Sequence, residues 1–238
     1  MALFPAEEYL GRIDRTKERM AVAGIDVLIV ADPANMNYLT GYDGWSFYVH
    51  QVVIVHMDSV EPIWVGRGMD VNGARHTTFL STENIIGYPD HYVQSLERHP
   101  MNFVADVLKR REWNRKRIGV EMDAYYFTAR AHEVLRTDLP DATFTDVNLL
   151  VSWVRCIKSD AEIEYMKQAG KIMEKVMQTA IDTIAPGVRE CDAVAAIYRA
   201  QIAGTPEYGG DYPAIVPMMP VGEKTSTPHL TWTDDPYP

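Results

Sequence analysis

The sequence predicts an α/β domain with a mixed sheet, followed by a helix-rich segment. Three observations carry that expectation. Short apolar or β-branched runs alternate with stretches of helical spacing through about residue 150, the order that layers helices on a sheet. From Asn148 to Ala203 the strand signals cease and only helical periodicity remains. The last part, Gly209 to Trp232, joins a double glycine, an apolar run and a proline-bounded loop around one histidine.

The elements follow in order. Pro5 to Ala23 has the spacing of a helix, with Glu7 and Glu8 in its first turn, where they complement the helix dipole, and Gly24 placed to end it. Asp26–Ala31 is a continuous apolar run of strand length, which predicts burial on both faces. Pro33 and Gly41 bracket a short helix over Ala34–Thr40. Phe47–His56 and Ile63–Val65, joined by Asp58-Ser59-Val60-Glu61-Pro62, read as a hairpin. Gly66, Gly68 and Gly73 miss the spacing of a phosphate-binding loop and read as turns before a strand at Asn84–Tyr88. A helix over Asn102–Arg111, a strand at Arg117–Val120, a helix over Phe127–Leu135 and a short strand at Thr143–Thr145 complete the alternation. Ser159 with Glu162 three residues on is a capping-box pattern. It opens a long helix with Ile163, Met166, Ala169, Ile172, Met173, Val176, Ala180 and Ile184 on one face; the methionine stripe Met166, Met173 and Met177 reads as core. Pro186-Gly187 ends that helix, and another runs from about Glu190 to Gly204. Ala214–Met219 is a strand candidate. The domain boundary falls at residues 150–158, giving domains of residues 1–154 and 155–238.

Composition bounds the partners. The chain has 238 residues, 47% hydrophobic and 24% charged, enough for one large or two smaller cores. A formal charge of −10 argues against a nucleic-acid surface. Cys156 and Cys191 are the only cysteines and form no C-x-x-C pair, so no disulfide framework is expected and a reducing cytoplasm fits. The N-terminus lacks the basic and apolar regions of a signal peptide, and no apolar run is long enough for a membrane span.

Little in the spacing alone declares chemistry. The seven histidines are His50, His56, His76, His91, His99, His132 and His229; none has metal-ligand spacing, and most read as surface or hairpin residues. The cysteines read as buried or inert, and Asp234 and Asp235 as solvated tail residues. His229 stands apart because of its Gly-Gly, strand and proline-loop context. A histidine so placed offers one imidazole, a group that changes charge near neutral pH.

Particular motifs add a resemblance. Arg155-Cys156-Ile157-Lys158-Ser159-Asp160-Ala161-Glu162-Ile163 resembles the R-x-x-K-S-x-x-E-I entry to the catalytic domain of the creatinase/prolidase family. Ile184-Ala185-Pro186-Gly187-Val188-Arg189-Glu190 is similar to that family's PG-x-x-E turn, and Asn35–Tyr42 to its N-terminal-domain signature. The 209–232 stretch with its His-Leu-Thr-Trp ending is most similar to the family's ectoine hydrolases. The resemblance implies a creatinase/prolidase-type α/β domain followed by the first, helix-rich part of a pita-bread α+β catalytic domain, in a homodimer. That domain has two pseudo-symmetric halves in the family, so the resemblance also implies that the catalytic part is incomplete here.

The resemblance further implies that His229 is the active-site histidine, moving protons without a metal or other cofactor during hydrolysis of a small cyclic amidine. Ring opening of ectoine would give an N-acetyl-diaminobutyrate. Trp45 and Phe47 are implied as substrate-binding walls, lent to the site of the partner subunit, with a structural role in the hairpin as the alternative reading. Val49 stands where creatinase carries an arginine, which disfavours a guanidino-acetate substrate. Two alternatives stay open at this point. One is an Xaa-Pro aminopeptidase or dipeptidase using two divalent metal ions, whose ligands would lie beyond Pro238. The other is a binding or dimerisation module without catalysis.

Overall fold

The structure is a computed structural model, and it describes residues 2–44, 46, 48–147 and 149–238. The chain forms two compact units, Met1–Ile157 and Lys158–Pro238. Among the described residues no helix is long and apolar enough to cross a membrane.

The first unit is built on strands β1 (Val27–Val30), β2 (Val52–His56), β3 (Ile63–Arg67), β4 (Ile85–Tyr88), β5 (Arg117–Val120) and β6 (Thr143–Asp146), in the spatial order β4-β3-β2-β1-β5-β6. The pairs β1–β2 and β2–β3 are antiparallel; β1–β5, β3–β4 and β5–β6 are parallel. This is the mixed sheet the alternation predicts. Every residue of β1 and β2 is buried. Successive side chains of a strand point to opposite faces, and the two faces have separate cores. Val27, Ile29, Val52, Ile54, Ile63, Val65, Ile118 and Val120 join one. Leu28, Val30, Val53, Val55 and Trp64 join the other.

Helices cover both faces. Helices α4 (Pro100–Arg110) and α5 (Ala129–Asp138) supply Val104, Leu108, Ala131 and Leu135 to the first core. The second core takes Ile13 and Met20 from α1 (Ala6–Val22), Met36 and Leu39 from α2 (Pro33–Thr40), Ala74 from α3 (Val71–Thr77) and Val151 and Val154 from α6 (Leu150–Arg155). Helix α2 starts and stops as the sequence predicts. The Asp32 side chain accepts from the Asn35 N–H at 2.9 Å, and Gly41 adopts φ 81°. A side chain there would be strained by that φ and would also meet the Tyr9 hydroxyl at 2.8 Å.

Some expectations are corrected. Of the three glycines read as turns, Gly66 lies in β3, Gly68 begins a short 3₁₀ turn and Gly73 lies inside α3, a helix the glycine spacing concealed. The hairpin's first strand begins at Val52, and Trp45 and Phe47 lie outside the described residues. His56 lies in the hairpin as expected, and His99 is half-buried. His56 is buried and stacked on Trp113, with ring centroids 4.3 Å apart. His99 caps α4: its Nδ1 accepts from the Met101 N–H at 3.1 Å while Asn102 Oδ1 accepts from the His99 N–H at 2.7 Å. The His50 ring lies edge-on to it, 4.6 Å between centroids.

The second unit has helices α7 (Asp160–Thr183) and α8 (Glu190–Ala203). The expected capping box is present: the Ser159 side chain accepts from the Glu162 N–H at 3.3 Å, and Glu162 Oε2 accepts from the Ser159 N–H at 2.8 Å. The methionine stripe is corrected. Met166 and Met177 are each 54% exposed and Met173 56%, and among the described residues the buried cluster against α7 comprises Val176, Ile197 and Ala200, flanked by Ile172, Ala180 and Met219. One neighbouring helix covers one stripe of α7, and among the described residues of this unit nothing packs over the rest. Ala214–Met219 forms no strand. Pro213, Pro217 and Pro220 remove backbone donors along and beside it, and no described strand of the unit offers a ladder. Cys156 is exposed and Cys191 half-buried.

Two outcomes follow. Ile29→Ala should lower the unfolding free energy of this chain by about 2–5 kcal/mol, whereas Met173→Ala should change it by less than about 0.5 kcal/mol; urea melts of both variants check the contrast. Burial, then the neighbouring His50 and Arg130, hold the His99 pKa down at about 4, against an ordinary 6.5. The unfolded chain therefore binds more protons in that window, and the stability His99 contributes is complete above its unfolded pKa and lost as pH falls toward 4. The urea midpoint should drop between about pH 7 and 4.5, and drop less in His99→Asn, which keeps a capping side chain.

Candidate functional site

The second unit gathers its polar side chains where α8 begins. Pro186 and Gly187 turn the chain after α7, with Gly187 at φ 86°, and Arg189 then adopts the extended conformation of an N-cap. The first residue of α8 is Glu190, which is 2% exposed. A buried carboxylate is tolerated only where donors replace water, and its donors come from far along the chain. The Thr233 N–H and hydroxyl lie 2.6 and 3.0 Å from Glu190 Oε2, and the Lys224 ammonium lies 3.8 Å from Oε1.

Residues 233–237 run back along 187–191 and hold the cluster closed. Gly187 N–H donates to the Tyr237 carbonyl, Tyr237 N–H to Val188, Glu190 N–H to Asp235 and Cys191 N–H to Thr233, at 2.8–3.0 Å. These bonds satisfy two of the free N–H groups at the start of α8. Tyr237 is buried as a result, and burial raises its pKa. Lys224 Nζ lies 2.7 Å from Asp235 Oδ2 and 3.2 Å from the Thr233 hydroxyl oxygen. The Lys224 hydrogen bond, then that of Thr233, lowers the Asp235 pKa. Asp235 is therefore ion-paired, not merely solvated; Asp234 remains exposed.

His229 lies in the loop between Lys224 and Thr233. A 3₁₀ turn (Gly222–Ser226) leads into it, the Thr227 N–H donates to the Lys224 carbonyl at 2.9 Å, and the Leu230 N–H donates to the Thr227 carbonyl at 3.4 Å. The imidazole is exposed, and among the described residues it makes no hydrogen bond within this unit. Trp232 meets Tyr198 of α8 edge-on, 6.2 Å between centroids. The three residues expected at the site thus divide: His229 is placed on an anchored loop, and Trp45 and Phe47 lie outside the described residues. Glu190, Lys224, Thr233 and Asp235 carry the geometry without having been singled out as site residues. Only Glu190 had a signal, as the last residue of the PG-x-x-E turn.

A second buried carboxylate sits in the first unit, at the end of β5. Glu121 Oε2 accepts from the N–H groups of Ala31 and Asp32 at 2.8 and 2.9 Å, and Oε1 from the Asn35 amide at 2.6 Å. Arg155, at the end of α6, donates to Asn35 Oδ1 at 2.8 Å. Burial raises the Glu121 pKa, and these hydrogen bonds oppose it. With both oxygens occupied by the protein's own donors, Glu121 ties α2 and α6 to the strand ends.

Comparison with known proteins now bears on both units. The family model "Creatinase/Prolidase N-terminal domain" matches residues 12–157. The chain belongs to the creatinase/prolidase family. A second model, "Metallopeptidase family M24", matches residues 164–237. The ectoine hydrolase of Halomonas elongata is 50% identical over 98% of this chain and 60% of its own length. An uncharacterized hydrolase/peptidase of Sinorhizobium fredii is 51% identical over 97% of this chain and 59% of its length. This creatinase/prolidase chain therefore spans about 60% of the length of those relatives. A prolidase from Thermococcus sibiricus aligns with TM-score 0.75 at 17% identity, covering 98% of this chain and 59% of that one, and the prolidase from Pyrococcus furiosus with TM-score 0.70 at 20% identity, covering 94% and 62%. These likenesses establish the fold, a creatinase-type α/β domain followed by part of a pita-bread domain.

The word metallopeptidase invites a test of the donor set. Among the described residues no group of three or more His, Cys, Asp or Glu side chains could hold a metal ion. Where Glu190 and Asp235 do converge, the Lys224 ammonium already supplies the positive charge. The described residues do not by themselves form a divalent-ion site.

Replacing Glu121 by Gln would turn an amide N–H₂ toward donors that need an acceptor. The expected cost is about 1–3 kcal/mol, read as a fall in the urea midpoint near neutral pH.

Proposed function

We propose that this chain acts in a hydrolase that opens the cyclic amidine of ectoine, with His229 as its proton carrier. The observation that carries the reading is the 50% identity to an ectoine hydrolase over 98% of the chain. The exposed imidazole on an anchored loop supports it, because such a group is free to meet a substrate.

The chemistry asks little more of this loop. A protonated amidine carbon is electrophilic. As a water oxygen bonds to that carbon, His229 takes one of its protons, giving a tetrahedral intermediate. His229 then returns the proton to the departing ring nitrogen as its C–N bond breaks, and the hydroxyl proton left on the new amide oxygen passes to the freed amine. Ectoine and water become one N-acetyl-diaminobutyrate, and the histidine ends as it began. Trp45 and Phe47 are proposed as apolar walls for the ring, reaching the partner subunit of a homodimer, and the protein as cytoplasmic.

The match to a family described as metallopeptidase supports a second reading, an Xaa-Pro dipeptidase using two divalent ions. The two are separated by assaying the full-length protein with ectoine and with a proline dipeptide, alongside metal analysis. Ring-opened product by mass spectrometry is expected. Dipeptide cleavage with stoichiometric metal and no ectoine turnover would sink the first reading. Under it, His229→Ala should lower kcat by about 10²–10⁴-fold while circular dichroism stays unchanged; turnover near the wild-type rate would remove His229 from the mechanism.

A further inference from the structure

We propose that Glu190 is a positioning residue for His229, fixing the histidine loop at both ends through one buried carboxylate. This rests on the reading of His229 as the proton carrier. The loop leaves the cluster at Lys224 and returns to it at Thr233, and both residues converge on Glu190: Thr233 on Oε2 at 2.6 and 3.0 Å, Lys224 on Oε1 at 3.8 Å. The two ends are also joined to each other. Lys224 Nζ reaches the Thr233 hydroxyl at 3.2 Å and Asp235 at 2.7 Å, and the Asp235 N–H donates to the Thr233 hydroxyl at 3.2 Å. Thr233 has one hydroxyl proton and two carboxylates within reach at 3.0 Å, Glu190 and Asp235, so its hydroxyl serves one of them at a time. Its backbone N–H is committed to Glu190.

The anchor is transmitted along the loop. The Thr227 N–H closes a turn on the Lys224 carbonyl, and the Leu230 N–H closes the next on Thr227. His229 lies inside that second turn. A displacement of Lys224 is therefore carried through two hydrogen-bonded turns to the imidazole. From the other side Trp232, beside Thr233, packs on Tyr198 of α8, the helix that Glu190 begins. Glu190 itself is fixed by the helix and by its own N–H bond to the Asp235 carbonyl at 3.0 Å. The frame is α8, and the histidine loop hangs on it by the hydrogen bonds of Thr233 to a buried carboxylate, which are charge-assisted and directional, with the partly exposed Lys224 as a longer ion pair at 3.8 Å.

The dependence is specific. Glu190→Ala removes the acceptor for Thr233 and the charge facing Lys224. Glu190→Gln keeps an acceptor for Thr233 and gives up the charge that draws Lys224. Lys224→Met releases the same end from the opposite side. In the full-length protein, Glu190→Ala should lower kcat about 100-fold and Glu190→Gln or Lys224→Met about tenfold, with KM changed less than about threefold, the signature of a misplaced reacting group.

A readout independent of activity separates the two ideas. Imidazole cross-peaks of histidine-labelled protein, with His229 assigned through His229→Gln, should shift for His229 in all three variants while those of His50 and His99 stay fixed. A His229 cross-peak unmoved in Glu190→Gln and Lys224→Met, which preserve the side-chain volume and the fold, would overturn the inference. A moved cross-peak with undiminished turnover would overturn the proton-carrier reading and leave the anchoring intact. A moved cross-peak with reduced kcat supports both.

Discussion

The first unit depends on burying β1 and β2 on both faces. A strand buried on one face can leave its other side to water, so its sequence alternates. Val27–Val30 and Val52–Val55 have no polar position to give up, and they remain out of water only if helices cover each side of the sheet. The rest of the unit satisfies that demand: α4 and α5 on one side, α1, α2, α3 and α6 on the other. Even the polar groups serve it. Glu121 collects the N–H groups that follow β1 and passes the connection through Asn35 to Arg155. The last helix of the unit is thereby fastened to the end of its central strand.

The second unit is held differently. Its apolar cluster is small, and much of α7's predicted face is exposed. What orders residues 187–237 is a polar junction: backbone bonds between 187–191 and 233–237, and the Glu190 carboxylate with its distant donors. Hydrogen bonds of this kind contribute modestly in net terms, yet leaving one unmade in a buried setting costs more than it returns when made. The junction therefore specifies geometry more than it supplies stability. Specified geometry is what a loop bearing a reacting group requires.

The sequence was legible wherever structure is decided by neighbours in the chain. The Asp32 cap, the Gly41 stop and the Ser159–Glu162 capping box all appear where local rules place them, because their partners lie within a turn. The continuous run at residues 26–31 predicts burial on both faces, since hydrophobic pattern records how many faces are covered. Legibility failed where the answer lies with remote groups. Ala214–Met219 has strand composition, but a strand exists only with a partner. The methionine stripe has helical spacing, but spacing does not say what stands opposite. Gly73 looked like a turn because its neighbours in sequence hide the packing of Ala74 against the sheet.

The same distinction explains why His229 could be picked out and its support could not. A histidine between prolines, hydroxyls and an aromatic residue is conspicuous in one dimension. Glu190 precedes Thr233 by 43 residues, and nothing near either one announces the other. Anchoring also constrains a particular thing. Bonds at Lys224 and Thr233 fix the path of the loop backbone, while the imidazole ring keeps freedom about its own side-chain torsions, since no described residue of its unit bonds to it. The residues of this unit thus determine where the proton carrier stands. Its ring orientation is left to whatever meets the exposed face of the loop, and a substrate that fixes the ring as it binds would couple recognition to proton transfer.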